Sequence, residues 1–215
     1  MRMAGIALCC VFAAFCTGCI SDSSTQSDSH PSTSFPSLGS EQVRLAEVGS
    51  RITHALADVC DCRTAPNTQG AEFRVCGYPI KIENTAELHA STNGRRIRIT
   101  SGMLHFFASD DELAFVLAHE LSHILLGHAG AFNGMSHMAA ELEADRLGIR
   151  IVSHADFDTE IAAKFPERLA QAYPEMNMPS GTYPRPAVRA TLIVAALRED
   201  AGQPIYAKLR GECTG

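Results

Sequence analysis

The stretch 116-VLAHELSHILLGH-128 decides the reading of this chain, because two histidines and a glutamate interrupt a run that is otherwise apolar. Apolar residues fall on nearly every side of a helix drawn through it, so the helix is expected to be buried all round. A buried ionisable group is costly without a partner. His119 and His123 differ by roughly 40° in helical azimuth, so their imidazoles stack on one face and can converge on one ion. Zinc suits them: it takes imidazole nitrogen, and catalytic zinc sites use three protein ligands with a fourth position open to water. Glu120, directly after the first histidine, is placed to take a proton from that water rather than to bind the ion. With nine histidines in 215 residues, an accidental H-E-x-x-H is expected in about 2% of such chains. An accidental match should fall on an exposed, polar surface, whereas this one lies inside a capped, apolar helix; the competing reading is two core histidines satisfied by backbone or carboxylates.

A third ligand is needed, and 139-AAELEADRLGIR-150 supplies carboxylates on a second helix. Glu141 and Asp145 share a face of it, whereas Glu143 lies about 200° around from Glu141 and should point away. Glu141 is therefore assigned to the metal. Asp145 falls where it can hold the Nδ1 proton of a ligand histidine, which fixes the tautomer and ring orientation. Its alternative is a surface pairing with Arg146 or Arg150.

The surrounding elements read as an α+β fold. Residues 41–60 have helical apolar spacing, while 72–83 and 95–100 alternate as half-buried strands. An Asn-Gly turn signal at 93–94 joins the strands of 72–100 into a small antiparallel sheet. The histidine helix starts at a capping box, Ser109 with Glu112, and Gly127 or Gly130 supplies its stop. A further helix over 158–173 should break or kink at Pro166, and Pro186 fits the first turn of a last helix. The count is four or five helices and three or four strands.

Composition sets the wider frame. At 46% hydrophobic and 20% charged residues the chain has room for one domain. With 18 basic against 24 acidic side chains, neither a nucleic-acid partner nor a polybasic membrane patch is expected. Arg2 followed by 4-AGIALCCVFAAF-15 reads as an export signal, too short for a membrane-spanning helix. The segment 16-CTGC-19 resembles a bacterial lipobox, with Cys16 where a leucine is usual, which makes Cys19 the lipidated residue. The expected organisation is a signal peptide at 1–18, a lipidated Ser-rich tether at 19–40 and the folded domain at 41–215. Ile20 after the lipidated position, rather than Asp, points by resemblance to the outer membrane. The four cysteines left after processing, Cys60, Cys62, Cys76 and Cys213, suit disulfides in an oxidising compartment. Cys60 to Cys62 would be strained. The other two pairings remain open, as does a four-cysteine zinc site.

The two motifs together, 115-FVLAHELSHILLGH-128 and 141-ELEADRLGIR-150, resemble the gluzincin metallopeptidases of the family that includes HtpX, the CAAX prenyl protease, BepA and LoiP. The resemblance spans roughly residues 41–200. It implies a mostly helical, zincin-like metalloprotease domain holding one zinc ion, with Glu141 as third ligand and Asp145 behind a ligand histidine. It also implies that an edge strand bordering the active site binds the polypeptide substrate as an added strand, here near 85-TAELHAS-91. His89 in this strand faces either solvent or substrate. Relatives carry a histidine in an S/T-H-P segment followed by an arginine. The present 182-TYPRPAVR-189 keeps Thr182, Pro184 and Arg189 but has Tyr183 in the histidine's place. A tyrosine hydroxyl can donate to a developing oxyanion. Tyr183 and Arg189 are accordingly expected in the catalytic set with Glu120, with loop packing as the alternative for Tyr183 and carboxylate pairing for Arg189.

The expected protein is a lipid-anchored, periplasm-facing zinc metalloendopeptidase acting on envelope or misfolded proteins. The alternatives are an envelope assembly factor or chaperone with this fold and little proteolysis, and a zinc protein without turnover.

Overall fold

Apolar side chains at Leu45, Val48 and Ile52 recur at helical spacing, and in the computed structural model they form the buried face of helix α1 (Gly39–Ala55). The structure describes residues 39–57, 73–128, 135–177 and 184–199. The export signal, nearly all of the tether, Cys19, Cys60, Cys62, Cys213 and Tyr183 therefore lie outside the described residues.

Four strands follow α1: β1 (Phe73–Val75), β2 (Tyr78–Glu83), β3 (Ala90–Thr92) and β4 (Ile97–Thr100). Cys76, a disulfide-bonded residue, sits in the turn between the first two. The sheet order is β1-β2-β4-β3. It is mixed rather than antiparallel throughout: β1–β2 and β3–β4 are antiparallel, but β2 and β4 run parallel, with Ile80 opposite Ile97 and Ile82 opposite Ile99. The cause is local. The Asn93-Gly94 turn folds β4 back on β3, and β4 then takes the place beside β2 that a simple meander would give to β3. This leaves β3 as an edge strand, packed against the histidine helix.

A short helix not expected from the sequence, α2 (Ser101–Phe106), begins directly after β4, with the Thr100 hydroxyl capping the Met103 N–H. Then comes α3 (Asp110–Leu125). Its Ser109 cap holds, with the hydroxyl accepting from the Glu112 N–H at 3.4 Å. The reciprocal arm does not close on Ser109: the Glu112 carboxylate accepts the Ala108 N–H at 2.7 Å and is gripped by Arg168 through both oxygens. Glu112 is buried, and a buried carboxylate favours the strong bidentate guanidinium partner over a second cap.

Helices α4 (His137–His154), α5 (Thr159–Ala172) and α6 (Pro186–Glu199) complete the described fold. Ser136 and Asp158 cap α4 and α5 through their side chains. Helix α5 runs through Pro166 without a break. Ala162, Ala163, Phe165, Leu169 and Ala170 are buried on both sides of the proline, and that packing outweighs the one missing backbone hydrogen bond. Helix α3 is central, touching α1, α4, α5 and β3, and is buried at all but three of its sixteen positions. Among the described residues no helix is long and apolar enough to cross a membrane. The whole is a mostly helical α+β fold with a small mixed sheet, as expected of a zincin-like domain.

Candidate metal centre

The site forms where α4 crosses α3. Gly148 makes the crossing close: a Cβ there would stand 3.1 Å from the His119 backbone nitrogen and 3.2 Å from its Cα. Glu141, Asp145 and Gly148 lie on one face of α4, as the helical period dictates, and this face meets the His119–His123 stripe.

The three expected ligands converge. His119 and His123 approach with Nε2 atoms 3.1 Å apart. Glu141 places one carboxylate oxygen 3.4 Å from His119 Nε2 and the other 3.4 Å from His123 Nε2. All three side chains are buried, and one donor atom from each lies within 4.8 Å of the others. Donors at about 2.0–2.1 Å from a tetrahedral ion are separated by about 3.3 Å along each edge. The observed spacings match such an edge, so the residues fit a zinc ion.

Beside these donors lies Glu120, 3% exposed, with Oε2 buried and lacking a hydrogen-bond partner among the described residues. Burial raises its carboxyl to about 7 in the polypeptide alone, with the Glu141 charge adding to the effect against His119 and Arg189. A buried carboxylate with an unused oxygen and a proton affinity near neutrality is suited to moving a proton.

Charge in the rest of the site is tightly matched. His119 Nδ1 stands 3.0 Å from Asp145 Oδ1, and Arg189 clamps the same carboxylate at 2.7 and 2.6 Å. Burial disfavours a charged His119, but Asp145 and Glu141 outweigh it and lift the imidazole to about 10. Burial would likewise raise Glu141, yet contact with His119 draws it down to about 2. Burial, with the neighbouring His119 charge, lowers His123 to about 3. Asp145 lies below the usual carboxylate range, because Arg189 and His119 overcome its desolvation. In the polypeptide alone a proton on His119 and the Arg189 guanidinium thus balance the carboxylates of Glu141 and Asp145. An ion entering the site must displace the His119 proton, so metal uptake releases it and weakens as pH falls.

Of the sequence-selected residues, the structure brings together His119, Glu120, His123, Glu141, Asp145 and Arg189. It gives Arg189 to Asp145, the carboxylate pairing that was its alternative. Tyr183 lies outside the described residues. His89 is partly exposed on the segment leading into β3. Burial and the Arg98 charge lower its pKa. Glu143 is not among the converging donors; its carboxylate meets His128 at 3.4 Å. Sequence reasoning passed over two histidines. His137, one turn before Glu141, stands 3.8 Å from its carboxylate. His128 is buried against His123, with Nδ1 atoms 3.1 Å apart. The signal for His128 was the helix stop: a glycine at 127 followed by a histidine, where a chain turning back over the helix places its next side chain.

Two imidazoles from one helix, a carboxylate from its neighbour and a buried second glutamate form a candidate metal site of the kind metallopeptidases use. Residues 82–140 match the sequence model of the family described as Peptidase family M48, and this match supports a zincin-type metallopeptidase. The matched segment contains His119, Glu120 and His123 and stops one residue short of Glu141, so the third ligand stands on geometry. No curated protein matches the chain significantly.

Proposed function

We propose that the chain is a zinc-dependent metalloendopeptidase. The observation that carries this reading is the convergence of His119, His123 and Glu141 at ligand-edge spacing beside the unpartnered Oε2 of Glu120. When bound, zinc supplies Lewis acidity toward a peptide carbonyl and makes water acidic near neutral pH. His119, His123 and Glu141 hold the ion, and Asp145, braced by Arg189, fixes the His119 ring. Glu120 Oε2 accepts a proton from the attacking water as the new C–O bond forms. The same carboxyl then delivers it to the leaving nitrogen as the C–N bond breaks. Tyr183 is retained from the sequence as the donor to the oxyanion, and Arg189 acts through Asp145.

The proposed substrate is an extended polypeptide added along the β3 edge of the sheet. That β3 is an edge strand packed on α3 supports it. A lipid-anchored, periplasm-facing enzyme, held at the outer membrane through Cys19 and acting on envelope or misfolded proteins, rests on the N-terminal sequence, and the disulfide at Cys76 is in keeping with export. The decisive variant is Glu120→Gln. It should bind zinc as wild type does and lose hydrolysis of an unfolded protein by about 10²–10⁴-fold. A variant cutting as fast as wild type would remove Glu120 from the mechanism.

A further inference from the structure

His128 lies outside the three ligands, the base and the Asp145–Arg189 pair, yet it is buried, 5% exposed, with its ring against the Nδ1 side of His123. Its position follows from how α3 ends. Gly127 takes φ 70°, its N–H donates to the Ile124 carbonyl at 3.1 Å, and the His128 N–H donates to the His123 carbonyl at 2.9 Å. These two bonds with a left-handed residue form a Schellman stop, in which the residue after the glycine folds back over the residue three before the cap. An apolar pair usually makes that contact. Here the pair is His128 on His123.

The nitrogens then dictate where protons sit. His123 turns Nε2 toward His119 and Glu141, so Nε2 must carry the lone pair if it binds an ion and the ring proton must be on Nδ1. The atom facing that proton at 3.1 Å is His128 Nδ1, which accepts it only with its own proton on Nε2. His128 Nε2 in turn faces Glu143 Oε2 at 3.4 Å. The result is a chain of donors, His123 to His128 to Glu143, that parallels the contact of His119 with Asp145.

We propose that His128 is a positioning residue for the metal centre: it accepts the Nδ1 proton of His123, donates to Glu143, and so locks His123 in the tautomer and orientation that present Nε2 to the ion. This inference rests on the zinc reading above. Partners behind a ligand histidine typically change metal affinity 10–100-fold when removed.

The test is zinc affinity of the full chain by competition with a chelator, for wild type, His128→Leu and His128→Asn. Asparagine can offer its carbonyl oxygen where Nδ1 stood, whereas leucine offers no acceptor. We expect His128→Leu to weaken zinc binding about 10–100-fold and His128→Asn to recover most of the loss. Thermal unfolding of the zinc-free variants should not separate the two. Long-range ¹H–¹⁵N spectra of the zinc-loaded wild-type protein should show His123 protonated on Nδ1 and His128 on Nε2, a readout that needs no variant to fold. Equal losses in the two variants, wild-type affinity in His128→Leu, or a proton on His128 Nδ1 would each overturn the proposal. A wild-type chain that binds no zinc would overturn the zinc reading instead, and the two failures are distinguishable.

Discussion

Glu120 and Glu141 are both buried carboxylates of one small site, and their surroundings push them apart. Burial leaves Glu120 near 7, while contact with His119 overcomes burial and holds Glu141 near 2. One is thereby suited to exchange protons and the other to remain an anion that grips a cation. Asp145 is the third such group, and its clamp makes a prediction with a definite sign. Its folded-state pKa is depressed, so its contribution is complete above the unfolded value of about 3.9 and is lost as pH falls below it. Arg189→Met removes the main cause of the depression. Acid unfolding should then begin at a higher pH than in wild type, and stability at neutral pH should fall by about 3–5 kcal/mol, the cost of leaving a buried charge without its partner. An unchanged acid midpoint in a pH titration followed by circular dichroism would contradict this. Tyr183→Phe belongs to the same scale: loss of an oxyanion donor should lower turnover about 10²-fold with zinc content unchanged. Full activity in the variant would assign the residue to loop packing. The ligands and the base were legible because helical period alone brings His119 to His123 and Glu141 to Asp145. His128 was not, since it depends on a backbone reversal, and the pairing of Arg189 with Asp145 stood only as an alternative, since how α6 packs against α4 decides it.

Among the elements, the crossing of α3 and α4 does most to create the site. Glycine is a poor helix former, and alanine at an ordinary helical position would gain about 1 kcal/mol. Gly148 is not ordinary, because its Cβ would press on the backbone of His119. Gly148→Ala should lose about 1–3 kcal/mol through overpacking and also weaken zinc binding, because α4 carries Glu141. Thermal unfolding and zinc titration check both, and a stabilised variant with wild-type affinity would refute the account of the crossing. Element types and starts were largely readable: Ser109 and Pro186 open their helices as their chemistry predicts. Three features were not. The parallel β2–β4 pair depends on which strand inserts beside which, α2 is too short for apolar periodicity to register, and the passage of α5 through Pro166 is decided by tertiary burial. In the capping box, local chemistry predicted a partner that Arg168, from a distant helix, replaces.

For the whole molecule, the arrangement is a buried helix bearing the chemistry, wrapped by three other helices and flanked by a sheet edge. Such a helix tolerates two histidines and two glutamates only where their charges are compensated. Arg168 compensates Glu112, and the compensation proposed for His119, Glu120 and His123 is a divalent cation together with the Asp145–Arg189 pair. The sequence led to this conclusion because the motif is dense and its helix apolar. It led less far on the substrate edge, because strand order decides which strand lies at the edge. The most direct test is the zinc content of the purified protein by elemental analysis, set beside a Glu141→Ala variant. One zinc per wild-type chain is expected, removable by chelator and restored on adding the metal, and the variant should lose it under the same conditions. A folded wild-type chain that neither contains zinc nor takes it up on titration would contradict the account at its centre.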